Sequence, residues 1–369
     1  MDTERTRALG SRLLTMVTGH VMTMLVNVGH TTGLFEAALR GPATSAGLAQ
    51  RAGLDERYVR EWLGAMVTGE ILDFDAATGL FTLPPEHAPL LTGATAANIG
   101  PTTGMLRMLA GLLPEVERCF TAGGGVPYAA YAAVAGEGLG ATWRHIYDEQ
   151  LIDGFLGRVP GLHDTLQAGA RVLDLGCGTG HAINLMAQAF PASEFVGLDI
   201  ATEAIALGEA ERAAMALPNA RFVVGDAAEL AADPPFDVIT TFDAVHDQRS
   251  PAAVLERVRG ALAPDGVFVM VDAKFSSRLE NNIGNPHAPL CYGISLLFCL
   301  PTSLADGEGA GLGAMWGQEL ACEMLAAAGF DDVQVIDSPR AQNCTYICRA
   351  AELGASAGSG RQQGGPPDV

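Results

Sequence analysis

Asp174, Asp199 and Asp226 each close a short apolar run, in "RVLDLG", "EFVGLDI" and "RFVVGD". A fourth run, "FDVITTF", leads into Phe242, Asp243, His246 and Asp247. Polar groups at the carboxyl ends of parallel strands face a ligand crevice. After the first run come Gly176, Cys177, Gly178 and Gly180, a tight turn in which the backbone can approach a ligand closely and present N–H groups to it. The spacing is G-x-G-x-G. A dinucleotide fingerprint needs its third glycine at position 181, which is His181. Asp174, two residues before the first glycine, would also repel a pyrophosphate. The chemistry that fits is an ammonium group at Asp174 and the turn, and two ribose hydroxyls at Asp199. A purine would pack on Ile200, with its amino group on Asp226 and a ring nitrogen on the Ala227 N–H.

His246 follows the fourth run, and its role stays open at this point. It can be a general base, a structural histidine capping the following helix, or a substrate contact that moves no proton.

These residues need a sheet to position them. Apolar runs alternate with helical segments from residue 166 onward, which predicts an α/β, Rossmann-like, mostly parallel seven-stranded sheet with helices on both faces. Before it lies a mainly helical region. Residues 5–40 read as one helix. A short helix spans Ser45 to Arg51, and a second is capped by Asp55 and carries Tyr58, Val59, Trp62, Leu63 and Met66 at helical spacing. The hairpin "ILDFD"/"LFTLP" completes a winged helix. The expected division is 1–92 for the N-terminal helix and winged helix, 93–165 for a helical substrate-chamber segment, 166–350 for the sheet domain, and a disordered tail at 351–369. Within 93–165, "TAGGGVPYAAYAAVAGEG" reads as a loop exposing Tyr128 and Tyr131. Those tyrosines, with Trp143, His145, Tyr147 and Trp316, are candidate chamber lining. The Gly-rich insert 276–316 is expected to form a lid.

Composition narrows the partners. The 369 residues carry a formal net charge of −20, and Lys274 is the sole lysine. Such a surface repels nucleic-acid phosphates. In the winged helix, Arg57 and Arg60 are offset by Asp55, Glu56 and Glu61, so DNA is not the expected partner. The seven cysteines show no paired metal-ligand spacing, so no metal is expected, and free thiols indicate a cytoplasmic protein. The stripe Leu13, Leu14, Val17, Val21, Met24, Leu25 and Val28 predicts a homodimer through an amphipathic helix, with no membrane partner.

The ordered set "LDLGCGTG", "LDI", "GDA" and "TTFDAVHD" resembles the class I S-adenosylmethionine-dependent methyltransferases over about residues 165–350. That resemblance implies S-adenosylmethionine as cofactor. It implies Asp174 and the Gly176–Gly180 turn, with Cys177, on the methionine part, Asp199 and Ile200 on the ribose and purine, and Asp226, Ala227 and Phe242 around the adenosyl group. With the winged helix, the chain is similar to plant-type and bacterial small-molecule O-methyltransferases. In those, a His-Asp pair after the fourth strand holds the base, which implies His246 as base and Asp272 as its orienting acid. Gln248 stands where that family often has tryptophan, and Gln318 or Glu319 where it has a second orienting glutamate. Transfer to nitrogen, sulfur or carbon by proximity, and a cofactor-binding winged-helix regulator, are the alternatives.

Overall fold

The computed structural model describes residues 2–135, 140–305 and 307–349; the tail expected at 351–369 lies outside the described residues. Two units divide the chain. One runs through Gly154 and takes in Leu296–Gly309, and the other comprises Phe155–Ser295 and the chain from Ala310 onward.

The first unit begins with α1 (Thr3–Thr31), capped by the Asp2 side chain on Arg5 N. Gly33, at φ +73°, breaks the single helix expected over 5–40, and α2 (Leu34–Leu39) follows. Next come α3 (Ser45–Ala52), α4 (Glu56–Thr68), β1 (Asp73–Asp75) and β2 (Leu80–Thr82). Asp55 caps α4 as expected, accepting from Arg57 N at 2.9 Å. The β1–β2 hairpin is antiparallel and forms the wing. Phe35, Leu48, Val59, Trp62, Leu63 and Met66 form the buried centre of this part. Phe35 and Trp62 meet edge to face at 5.2 Å, and the Trp62 indole donates to Leu25 O at 2.8 Å. Both arginines of α4 are paired within the helix, Arg57 with Glu61 and Arg60 with Glu56.

The rest of this unit is α5 (Ala88–Leu91), α6 (Gly100–Gly111), α7 (Leu113–Ala122), α8 (Tyr128–Ala135) and α9 (Ala141–Gln150). Helix α8 corrects the loop expected there. Its Ala-rich run "YAAYAAVA" lacks strong polar spacing but has high helix propensity. On α1, Leu13, Leu14, Met16 and Val17 are more than half exposed. By length and composition α1 is long and apolar enough to cross a membrane. Its charges, Glu4, Arg5, Arg7 and Arg12, all lie before Leu13; beyond that point the interruptions are Thr, Gly, His and Asn.

The second unit holds α10 (Leu162–Ala168), β3 (Arg171–Leu175), α11 (His181–Ala189), β4 (Glu194–Asp199), α12 (Thr202–Ala214), β5 (Ala220–Val224), β6 (Phe236–Phe242), α13 (Pro251–Ala261) and β7 (Leu262–Ala273). Then come α14 (Leu279–Asn282) and α15 (Ala288–Ile294), with α16 (Leu300–Ser303) falling in the first unit, and finally α17 (Gly317–Ala327), β8 (Asp332–Asp337) and β9 (Asn343–Arg349). The insert expected as a lid is thus substantially helical. The seven strands lie in the order β5-β4-β3-β6-β7-β9-β8. The five central and edge strands from β5 to β7 are parallel, and β9 runs antiparallel to both β7 and β8. The α/β, mostly parallel seven-stranded sheet is therefore as expected. Strand order reverses between β3 and β6, and open α/β sheets bind ligands at such a point, outside the carboxyl strand ends.

Candidate functional site

Asp174, Asp199 and Asp226 lie at or just past the carboxyl ends of β3, β4 and β5, with Asp174 on the strand at that reversal. β3 pairs β6 in parallel with Asp174 opposite Thr240, so the Thr240 hydroxyl donates to Asp174 Oδ1 at 2.7 Å. Asp174 is almost fully buried, and burial pushes its carboxyl up to about 7, with the Asp199 charge adding and the Thr240 hydroxyl opposing. An isolated buried carboxylate is costly, so a group that can reach about neutrality to ionise is suited to a cationic ligand.

The turn after β3 works differently from the sequence expectation. Gly176, Gly178 and Gly180 all have positive φ, as foreseen for close packing. Their N–H groups, however, are turned inward. Gly176 N and Cys177 N donate to Leu198 O, Gly178 N to Asp199 Oδ2, and Gly180 N to Cys177 O. The turn therefore offers close backbone approach rather than a row of free donors. A Cβ on Gly176 would fall 2.6 Å from Ala244 Cβ, whereas Gly178 faces open space at φ +54°. Burial holds the Cys177 thiol well above its ordinary range, with the charges of Asp174 and Asp199 adding to the effect.

Asp199 accepts from Gly178 N and from Ala201 N, each at 2.8 Å. A carboxylate has about four acceptor sites, so roughly two remain for outside donors. Ile200 beside it is an apolar side chain that is 66% exposed. Asp226 caps the short turn Ala227–Glu229, accepting from Ala228 N at 2.8 Å, and Ala227 is buried. Phe242 closes β6, buried and edge to face with Phe155 at 5.9 Å. This donor and acceptor set fits an adenosyl group with an ammonium-bearing tail: two carboxylates with spare acceptor capacity, an exposed aliphatic face and a turn in which Gly178 faces open space.

Beyond β6 the backbone turns at Asp243, φ +48°, whose N–H donates to Val271 O. This brings His246 over the end of β7. His246 Nδ1 lies 2.8 Å from Asp272 Oδ1, and both side chains are buried. A carboxylate only accepts, so Nδ1 donates in this contact, which in the neutral imidazole leaves Nε2 as the basic nitrogen. Asp247 Oδ1 lies 3.3 Å from that Nε2. Asp243 accepts from Asn343 Nδ2 at 2.8 Å; burial and the Asp272 charge push it up to about 6, with His246 and Arg340 opposing. The imidazole is thus ringed by three carboxylates.

Other expectations are revised. Tyr131 is fully buried, its hydroxyl donating to Leu297 O at 2.8 Å and its ring edge to face with Phe298 at 4.8 Å, so it is packing rather than an exposed contact. Tyr128 is half-buried, 6.3 Å from Phe298. Trp316 is also buried, and its indole donates to Asp272 Oδ1 at 3.0 Å. Glu319 is drawn to Ser276 Oγ and Ser277 N, which hold its carboxyl down at about 2. Gln318 has its N–H on Phe275 O. The family resemblance expected a second orienting acid at about these two positions; beside Asp272 the structure puts Trp316.

Comparison with known proteins agrees with this architecture. Residues 20–93 match the Rv2258c-like winged HTH domain, and residues 166–295 match a methyltransferase domain. The chain is similar to a trans-aconitate 2-methyltransferase of Methylobacterium nodulans, 37% identical over 115 residues, 31% of this chain and 41% of that protein. It therefore spans less than half the length of that relative. It is also similar to the acetylserotonin O-methyltransferase of Mus musculus, 27% identical over 285 residues, 72% of this chain and 73% of that one. The structure of human N-acetylserotonin methyltransferase in complex with SAM shares the fold, with TM-score 0.66, 17% identity and coverage of 92% of this chain and 97% of that one. The chain thus joins an Rv2258c-like winged helix-turn-helix domain to a methyltransferase domain built on the fold of the class I methyltransferases.

Proposed function

We propose that the protein transfers the methyl group of S-adenosylmethionine to a hydroxyl of a small molecule, with His246 as general base. The observation that carries this reading is the buried His246–Asp272 hydrogen bond of 2.8 Å, set at the carboxyl ends of β6 and β7 beside the glycine turn. Asp174 would pair with the cofactor's ammonium, Asp199 would accept from its ribose hydroxyls, and Ile200, Asp226, Ala227 and Phe242 would surround the purine and its linkage. When bound, S-adenosylmethionine supplies an electrophilic sulfonium methyl.

The chain's own residues then have two tasks. One is to hold the acceptor oxygen in line and exclude water. The other is to remove its proton. A phenol, with a pKa of about 10, is mostly protonated at neutral pH. His246 Nε2 takes that proton while Asp272 keeps Nδ1 protonated and offsets the charge of the imidazolium; such a base contributes roughly 10²–10⁴ in rate. Asp243, Asp247 and Asp272 around the imidazole favour a neutral or cationic acceptor over a polycarboxylate. That separates this chain from the acceptor named for the trans-aconitate relatives.

A second copy of the chain is the partner that suits α1, whose Leu13, Leu14, Met16 and Val17 otherwise stay in water. The paired arginines of α4 argue against a duplex. The seven cysteines are all free, which suits a reducing cytoplasm. The test is a screen of hydroxyl-bearing compounds with methyl-labelled cofactor, run on wild type and His246→Ala. Label on oxygen, lost in the variant, supports the reading. Equal transfer by both, or label on another atom, defeats it.

A further inference from the structure

Asp272 Oδ1 accepts three donors: His246 Nδ1 at 2.8 Å, Trp316 Nε1 at 3.0 Å and its neighbour Ala273 N at 2.7 Å. Its other oxygen, Oδ2, is buried and accepts from none of the described residues. The carboxylate is therefore held by one oxygen only. The indole is the one donor of the three that comes from outside β7 and the imidazole it serves.

The placement of that indole is built rather than incidental. Trp316 is 3% exposed and lies just before α17. The segment that continues β7 is stapled to this corner. Ser277 Oγ donates to Trp316 O at 2.6 Å and accepts from Leu320 N at 3.0 Å. Gln318 N donates to Phe275 O at 2.8 Å, and Glu319 Oε2 accepts from Ser277 N at 2.7 Å. Gly317 sits at φ +80°, and a Cβ there would fall 2.1 Å from Ser277 N. Only glycine permits this approach, so the backbone between Trp316 and Asp272 has little freedom.

We propose that Trp316 is a positioning residue for His246, its indole N–H fixing the Asp272 carboxylate and sharing the oxygen that orients the imidazole. The proposal rests on the reading of His246 as base for its consequence in catalysis, but not for its geometry. Without the indole donor, Oδ1 keeps two donors and the negative charge is less dispersed. The carboxylate then attracts an imidazolium more strongly, and its own orientation loosens. Other charged groups facing His246 among the described residues include Asp247 at its Nε2, Asp243 at the end of β6 and Arg340, which acts on Asp243. None of them is altered by a change at Trp316.

The first test needs no variant to fold. The chain has three tryptophans, and the Trp62 indole donates to a backbone carbonyl, Leu25 O. In protein labelled with ¹⁵N at histidine and tryptophan, the Trp316 indole signal should move with pH at the same midpoint as the His246 imidazole, while Trp62 stays still. Asp272→Asn should uncouple the two signals. Trp316→Phe keeps an aromatic ring and deletes the N–H. It should raise the His246 midpoint and lower turnover about tenfold, as expected for one hydrogen bond to a charged group, with S-adenosylhomocysteine affinity unchanged. A purely structural tryptophan would lower the melting temperature and leave the imidazole midpoint in place, which overturns the proposal. So does a Trp316 indole signal that is flat through the titration of His246. Coupled titration together with full turnover by His246→Ala keeps the positioning role and removes only the base.

Discussion

Lowering the pH from 8 to 6 should weaken cofactor binding about tenfold through one residue, Asp174. Burial pushes this carboxyl up to about 7 from an ordinary 3.8, and the Thr240 hydroxyl only partly restrains it. An ammonium group beside it needs the ionised form. At pH 8 about nine molecules in ten are ionised without ligand, and at pH 6 about one in ten. Apparent affinity scales with that fraction. Binding at pH 7 should release about half a proton from this site. Calorimetry with S-adenosylhomocysteine, in two buffers of different ionisation enthalpy, reads both quantities. Asp174→Asn abolishes the slope and the proton release together, and any residual slope belongs to the ligand's own amino group. Thr240→Val removes the hydroxyl that opposes burial, so the midpoint should move up and affinity at pH 7 should fall. The same group sets a sign for stability. Its folded value lies above its unfolded one, so its stabilising contribution to the ligand-free chain is complete below about pH 4 and is lost as pH rises through about 7. A wild-type affinity flat from pH 6 to 8, or an equal slope in Asp174→Asn, refutes the reasoning.

Other outcomes follow from the same geometry. Asp199→Ala deletes an acceptor that also holds Gly178 N and Ala201 N, and should cost about 1–3 kcal/mol of cofactor affinity by calorimetry. His246→Ala should leave that affinity nearly intact and lower turnover by roughly 10²–10⁴, a deficit that shrinks at high pH where a phenolic acceptor ionises unaided. Gly176→Val forces a branched side chain at φ +70° against Ala244, and should abolish cofactor binding while circular dichroism stays near wild type. Leu14→Glu with Val17→Glu places charges in the exposed face of α1, and light scattering should read a monomer where wild type reads a dimer.

The sheet and the cofactor set were legible because both follow local rules. Apolar runs separated by helical segments require a parallel sheet, and in such a sheet the residues closing each run meet at one edge. Asp174, Asp199, Asp226 and His246 could therefore be grouped before any contact was known. The direction of the loop N–H groups was not legible. It depends on Leu198 O and Asp199 Oδ2, acceptors supplied by a neighbouring strand. The burial and partners of Tyr131 and Trp316 were not legible for a related reason. Their partners, Leu297 O and Asp272, lie 166 and 44 residues away, and no spacing rule connects them. Helix α8 was hidden by composition, since an alanine-rich run beside three glycines resembles a loop. The break at Gly33 carried a signal, because glycine readily takes positive φ at a helix end.

Methyl transfer to oxygen assisted by His246 is tested best by following the methyl group itself. Wild-type protein is incubated with ¹³C-methyl S-adenosylmethionine and a panel of phenolic and other hydroxyl compounds. The labelled product is then located by NMR, with His246→Ala run in parallel. The account predicts ¹³C on an oxygen, with the yield from the variant reduced roughly 10²–10⁴-fold near neutral pH. Label on nitrogen, sulfur or carbon, or equal yields from the two proteins, would contradict it.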